Sequence, residues 1–192
     1  MPRRVCDPPR VDASLANAAG LHDECVLAGR TAPGWARRAI ASLPTLLVEQ
    51  AHLEKKAAAA AVRLLFQVPS VAWMQKALSV LAREELVHFE RTLRILQQRG
   101  IAFGAQPPSG YAEGLKAAAR RVMPERLFDE LLIGALIEAR SHERMSLLGE
   151  ALATTDADAA AFYGELVEAE ARHRCIYLDI AAELAGIAAV RT

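Results

Sequence analysis

Residues 81–90 read LAREELVHFE. Glu85 and His88 stand three positions apart among Leu81, Leu86, Val87 and Phe89. A helix stacks groups at that spacing on one face. On a surface the pair would be ordinary. Facing inward, the carboxylate would need a partner, because an unpaired buried charge is costly. The fold therefore turns on whether other segments supply that partner.

Residues 168–173, EAEARH, repeat the spacing as Glu170 and His173. Two more glutamates stand upstream: Glu54 in AHLEKKA and Glu138 in ALIEARS. Glu54 precedes Glu85 by 31 residues, and Glu138 precedes Glu170 by 32. The chain thus carries a half-repeat, Glu…Glu-x-x-His. The midpoints fall at Pro69–Ser70 in QVPS and at Thr154 in TTDAD, and both stretches read as turns. In antiparallel helices joined by a tight turn, residues equidistant from the turn lie level. Each pair of glutamates should therefore meet. Glu49 is five residues from Glu54, roughly 7 Å along a helix, and Glu143 is five from Glu138. Both are too far from the expected level. Glu84 competes with Glu85, but only Glu85 matches the spacing of Glu170 and His173.

Helical periodicity surrounds these residues. Leu46, Leu47, Ala51, Ala58, Val62 and Leu65 predict a helix from about Ser42 to Phe66, with Pro44 in its first turn. A second runs from about Val71 to Arg99, with Ser70 as its expected N-cap and Gly100 beyond its end. IAFGAQPPSG reads as a loop, followed by a shorter helix near Tyr111–Arg121. A third long helix runs from Pro124 to Leu152. The fourth spans about Ala157–Ala185, capped by Thr154, Thr155 or Asp156 and closed by Gly186. Ala57–Ala61 reads as strong helix formers that let helices approach closely. Residues 1–34 hold several prolines and glycines and read as an irregular arm, with a short helix around Asp12–Ala19. No segment alternates with period 2. The expectation is an all-α chain: an arm over 1–34, then a four-helix bundle over 35–192 with a long crossover containing a short helix.

Four carboxylates and two imidazoles projecting into a bundle form the ligand set of a dinuclear carboxylate-bridged metal site. Four glutamates carry as much negative charge as two divalent cations carry positive. Imidazole suits iron or manganese better than magnesium. Spacing thus selects Glu54, Glu85, His88, Glu138, Glu170 and His173 as both metal ligands and catalytic residues.

Composition narrows the setting. Formal net charge is zero, so no global positive field draws in nucleic acid, and a basic surface must be local. The three cysteines, Cys6, Cys25 and Cys175, are widely spaced and fit neither a disulfide framework nor a zinc pattern. A reducing compartment is expected, with Cys175 as a packing residue. MPRRVCDPPR lacks an apolar stretch of signal-peptide type, and no run approaches ~18 uninterrupted apolar residues. A soluble cytoplasmic protein is the expectation.

HLEKKAA, LAREELVHFE, LLIGALIEARSHER and EARHR resemble the bacterial tRNA-(2-methylthio-N6-isopentenyladenosine) hydroxylases, which belong to the ferritin-like di-iron group. The resemblance covers about residues 35–185, and GALIEARS with EARH is its most specific part. It implies a non-haem di-iron monooxygenase with two iron ions and O2 that hydroxylates the isopentenyl chain of a hypermodified adenosine beside the tRNA anticodon. Its ligands fall on the six residues already selected. An external electron donor, a ferredoxin or reductase, is implied, because the chain carries no flavin or nicotinamide motif. A monomer or small homo-oligomer is expected. The sequence departs from the family where His142 stands in SHER, which often reads SCER, and where Arg174 follows His173 in place of an aromatic residue. The alternatives from the same architecture are iron oxidation and storage and peroxide reduction.

Contacts to tRNA phosphates would fall to Lys116, Arg120, Arg121, Arg126, Arg91, Arg94 or Arg99, although such residues ordinarily form a solvated face. Lys55 and Lys56 could pair with acids or reach a phosphate. His52 and His142 sit at helical phases that point them away from the ligands. Trp35 and Trp73 read as anchors, and Tyr111, Tyr163 and Tyr177 as packing residues.

Overall fold

Apolar residues recurring every three to four positions, with alanine and leucine filling most of them, leave helices as the regular structure of this chain. The computed structural model describes residues 27–107 and 110–185. Among these residues there are six helices and no strand. They are α1 (Trp35–Ile40), α2 (Leu43–Leu65), α3 (Ala72–Gln98), α4 (Gly110–Ala118), α5 (Glu125–Leu152) and α6 (Ala157–Ala185). The four long helices match the sequence expectation to within a residue or two. The expected helix at Asp12–Ala19 and the closing Gly186 lie outside the described residues, as do Cys6 and Cys25.

Two compact units emerge. One comprises residues 33–107, and the other residues 27–32 with 110–185. In the first, α2 packs against α3 as an antiparallel hairpin. Its buried stripe reads Leu47, Ala51, Glu54, Ala58, Ala61 on α2 and Met74, Leu78, Leu81, Glu85, His88, Thr92, Leu96 on α3. Steps of three and four keep each series on one side of its helix. The proposed ligands therefore belong to the core stripe and interrupt it. Ala58 and Ala61, from the alanine run, are 3% and 0% exposed.

The end of α3 shows how the chain is turned. Gly100 has φ +66°. Its amide donates to the Gln97 carbonyl at 3.1 Å, and the Ile101 amide donates to the Leu96 carbonyl at 2.9 Å. This is a Schellman closure, which needs the left-handed conformation glycine adopts freely. The start of α3 corrects the reading of Ser70: the N-cap position is Val71, extended and with no side-chain cap. The short α1 was not foreseen. It starts after Gly34, whose φ of 72° breaks the preceding chain, and six residues are too few for periodicity to announce a helix.

In the second unit, α5 packs against α6, again antiparallel. Asp156 is the cap of α6 among the three candidates: its Oδ1 accepts the Ala159 amide at 3.0 Å. The segment before α1 is fastened to α5. Glu143 accepts the Thr31 amide at 3.0 Å and the Thr31 hydroxyl at 2.6 Å. Arg140 donates to Glu143 and, at 2.6 Å, to the Gly29 carbonyl. Burial opposes the Glu143 charge, but the hydrogen bonds from Thr31 and Arg140 outweigh it and hold the carboxyl below its usual range. No described helix is long and apolar enough to cross a membrane.

Candidate metal centre

In the α2–α3 hairpin, Glu54 comes from the second helix, and Glu85 and His88 from the third. Their exposures are 2%, 1% and 7%. His88 Nδ1 lies 3.8 Å from Glu54 Oε2 and 3.8 Å from Glu85 Oε2. These distances exceed a hydrogen bond. They suit three groups arranged around a common point. One donor atom from each lies within 4.8 Å of the others.

The α5–α6 hairpin repeats the arrangement. Glu138 projects from α5, and Glu170 and His173 from α6, with exposures of 3%, 3% and 0%. Their donor atoms also lie within 4.8 Å of one another. Each hairpin alone thus gathers two carboxylates and one imidazole at one depth, as the turn-midpoint argument requires.

The rivals are elsewhere. Glu49 is exposed and Glu84 half-exposed. Glu143 serves the Thr31–Arg140 network. His52 Nε2 is 2.7 Å from the Gly104 carbonyl, and its ring lies 4.6 Å from that of Phe103. His52 thus holds the loop after α3. Lys55 sits 5.1 Å over the same Phe103 ring, a cation–π contact. His142 is kept toward its neutral form, first by burial and then by the Arg174 charge. The two departures from the family pattern therefore act on each other. Cys175 is buried as expected, at 5% exposure, but it is disulfide-bonded, which corrects its reading as a simple packing thiol.

Two supporting residues escaped the sequence reading. Gln50, 5% exposed, donates to Glu54 Oε1 at 2.5 Å. Thr92, fully buried, donates its hydroxyl to the His88 carbonyl at 2.8 Å. Both lie one helical turn from a proposed ligand, in the apolar stripe. A polar residue at a core phase beside a ligand was the available signal. Two of the basic candidates are engaged by acids: Arg120 pairs with Asp129 at 2.6 Å and Arg126 with Glu130 at 2.9 Å.

The donor chemistry fits a divalent transition metal. Each triad combines hard carboxylate oxygens with borderline imidazole nitrogen, which suits iron, manganese or zinc. Two ionised carboxylates buried together repel, and a dication cancels that charge where water cannot. The buried carboxylate and histidine groups are positioned for a metal site.

Comparison with known proteins gives the same direction. A relative from Pseudomonas putida, "tRNA 2-(methylsulfanyl)-N(6)-isopentenyladenosine(37) hydroxylase", is 38% identical over 151 residues, 79% of this chain and 72% of that protein. A Salmonella typhimurium protein of the same name is 40% identical over 107 residues, 56% of this chain and 38% of that one. Among solved structures, "Protein 43 with aldehyde deformylating oxygenase activity from Synechococcus" matches with a TM-score of 0.77 and 40% identity, covering 83% of this chain and 78% of that chain. The expected all-α, ferritin-like class agrees with that likeness. The family model described as tRNA-(MS[2]IO[6]A)-hydroxylase (MiaE) matches residues 21–192. On these grounds the chain belongs to the MiaE family of tRNA hydroxylases.

Proposed function

We propose that this chain is a non-haem di-iron monooxygenase. It hydroxylates the isopentenyl chain of a hypermodified adenosine next to the tRNA anticodon. One observation carries the reading: each of two helical hairpins buries a Glu, Glu, His triad with donor atoms within 4.8 Å. In this reading residues 35–192 form one ferritin-like four-helix bundle preceded by an arm over 1–34. In it Glu54, Glu85, His88, Glu138, Glu170 and His173 would bind two iron ions. The bound irons would supply O2 activation and oxygen insertion into an unactivated C–H bond.

The chain's own residues prepare that chemistry. Gln50 holds one oxygen of Glu54, which orients the other toward His88. Thr92 bonds the carbonyl of His88 and fixes the turn that carries the imidazole. The apolar layers of each stripe, Leu47 and Ala51 beside Glu54 and Leu131 and Ala135 beside Glu138, exclude water. A dry site strengthens the hold of the carboxylates on a cation. Phosphate contacts fall to the basic residues not engaged by Asp129 and Glu130, with Lys116, Arg121 and Arg94 the foremost. A ferredoxin or reductase delivers two electrons per turnover to a monomer or small homo-oligomer working in the cytoplasm, where its tRNA substrate is found.

The test is nucleoside analysis of tRNA from a strain lacking the gene, complemented with the wild-type chain or Glu138→Ala. The wild type restores the hydroxylated nucleoside, and Glu138→Ala does not and retains little iron. Full metal occupancy with full activity in Glu138→Ala would refute its role. The Synechococcus likeness favours a second reading, an oxygenase acting on an aldehyde. Aldehyde consumption by the iron-loaded chain, with no change in tRNA nucleosides, would select it.

A further inference from the structure

Gly134 lies one helical turn before Glu138 on α5, and Tyr177 one turn after His173 on α6. A Cβ built on Gly134 would stand 2.9 Å from Tyr177 Cδ1 and Cε1 and 3.0 Å from Cζ. These are ring atoms of a side chain only 2% exposed, so the ring has little room to retreat. Gly134 φ is not positive, so the glycine is required by close approach and not by backbone conformation. Helical side chains point back toward the N-terminus of their helix. The Tyr177 ring therefore covers the turn carrying His173 and meets the α5 backbone one turn from Glu138. Gly134 and Arg174 are equidistant from the Thr154 turn, which puts the contact at the level directly beside the ligands.

We infer that Gly134 and Tyr177 form a positioning contact that sets the register of α5 on α6 and thereby fixes Glu138 relative to His173. The inference rests on the metal-centre reading. Neither residue is a catalytic residue; both act through the ligands beside them. A ligand displaced by a shifted helix loses affinity on the scale seen when supporting residues are removed, about 10-fold to 100-fold.

The test is anaerobic cobalt(II) titration of the full chain, read by stoichiometry, affinity and the d–d absorption bands. Gly134→Ala is expected to weaken binding about 10-fold and alter the bands. Tyr177→Ala, which removes the ring, should weaken binding. The double variant Gly134→Ala/Tyr177→Ala should bind no worse than Tyr177→Ala alone, because the added methyl then meets no ring. A folded Gly134→Ala with wild-type affinity and bands overturns the inference, as does a double variant whose losses add. Should Gly134→Ala fail to fold, a folded double variant supports the ring clash and an unfolded one overturns it. The wild type is titrated alongside: if it takes up no metal the metal-centre reading itself fails, whereas normal uptake in both wild type and Gly134→Ala refutes only the register contact.

Discussion

The two hairpins carry the same Glu…Glu-x-x-His arrangement, and a different neighbouring contact stands out in each. In α2–α3 the support is polar: Gln50 bonds Glu54, and Thr92 bonds the carbonyl of His88. In α5–α6 a tyrosine ring stands against a glycine one turn away. His88 is 7% exposed and His173 is 0%. The α6 stripe is also wider, with Ala169, Glu170, Ala171 and His173 all buried within five positions. A hydrogen bond such as that of Gln50 orients one carboxylate oxygen, whereas a ring against a glycine backbone restricts how closely two helices approach.

The comparison yields predictions of decreasing size. Loss of a proposed ligand comes first: Glu85→Ala and Glu170→Ala should each abolish hydroxylation and lower metal affinity by more than about 100-fold, read by metal content after dialysis. Full retention in one alone would break the parallel between the hairpins, and full retention in both would refute the metal role of both glutamates. Next, Gln50→Leu should weaken metal binding about tenfold, with little change in the circular dichroism of the helices. If Gln50→Leu binds as tightly as wild type, the polar support is dispensable. Asp156→Ala should then cost about 1 kcal/mol of stability by uncapping α6, measured by denaturant unfolding.

The smallest effects concern charged groups that are not proposed ligands. Glu143 is held below the usual carboxylate range in the folded chain by its partners, against the opposing effect of burial. Its contribution is therefore present above the unfolded carboxylate value and is lost as pH falls through the folded one. Glu143→Gln should flatten the acid limb of a stability–pH curve while leaving metal affinity unchanged. Arg120→Gln, which removes an exposed guanidinium from a half-buried Asp129, should lower the melting temperature only slightly.

The outcome at individual residues shows which signals a sequence carries. Helix boundaries were legible where apolar periodicity met a stop of known chemistry, as at Gly100 and Asp156. The six proposed ligands stood out because charge recurs at core phase in two copies with turns at their midpoints. Gln50 and Thr92 were missed because a single polar residue at core phase, without a repeat, looks like ordinary variation. Gly134 appeared in the GALIEARS motif, but its contact with Tyr177, 43 positions away in sequence, depends on the register of two helices, which no local pattern encodes. The disulfide at Cys175 was hidden by an odd cysteine count.

The most direct test of the central claim is iron stoichiometry with magnetic characterisation of the oxidised, reconstituted chain. Two irons per chain with coupled magnetism is the result the proposed di-iron centre predicts. One iron per chain, or two irons with independent magnetism, would contradict it.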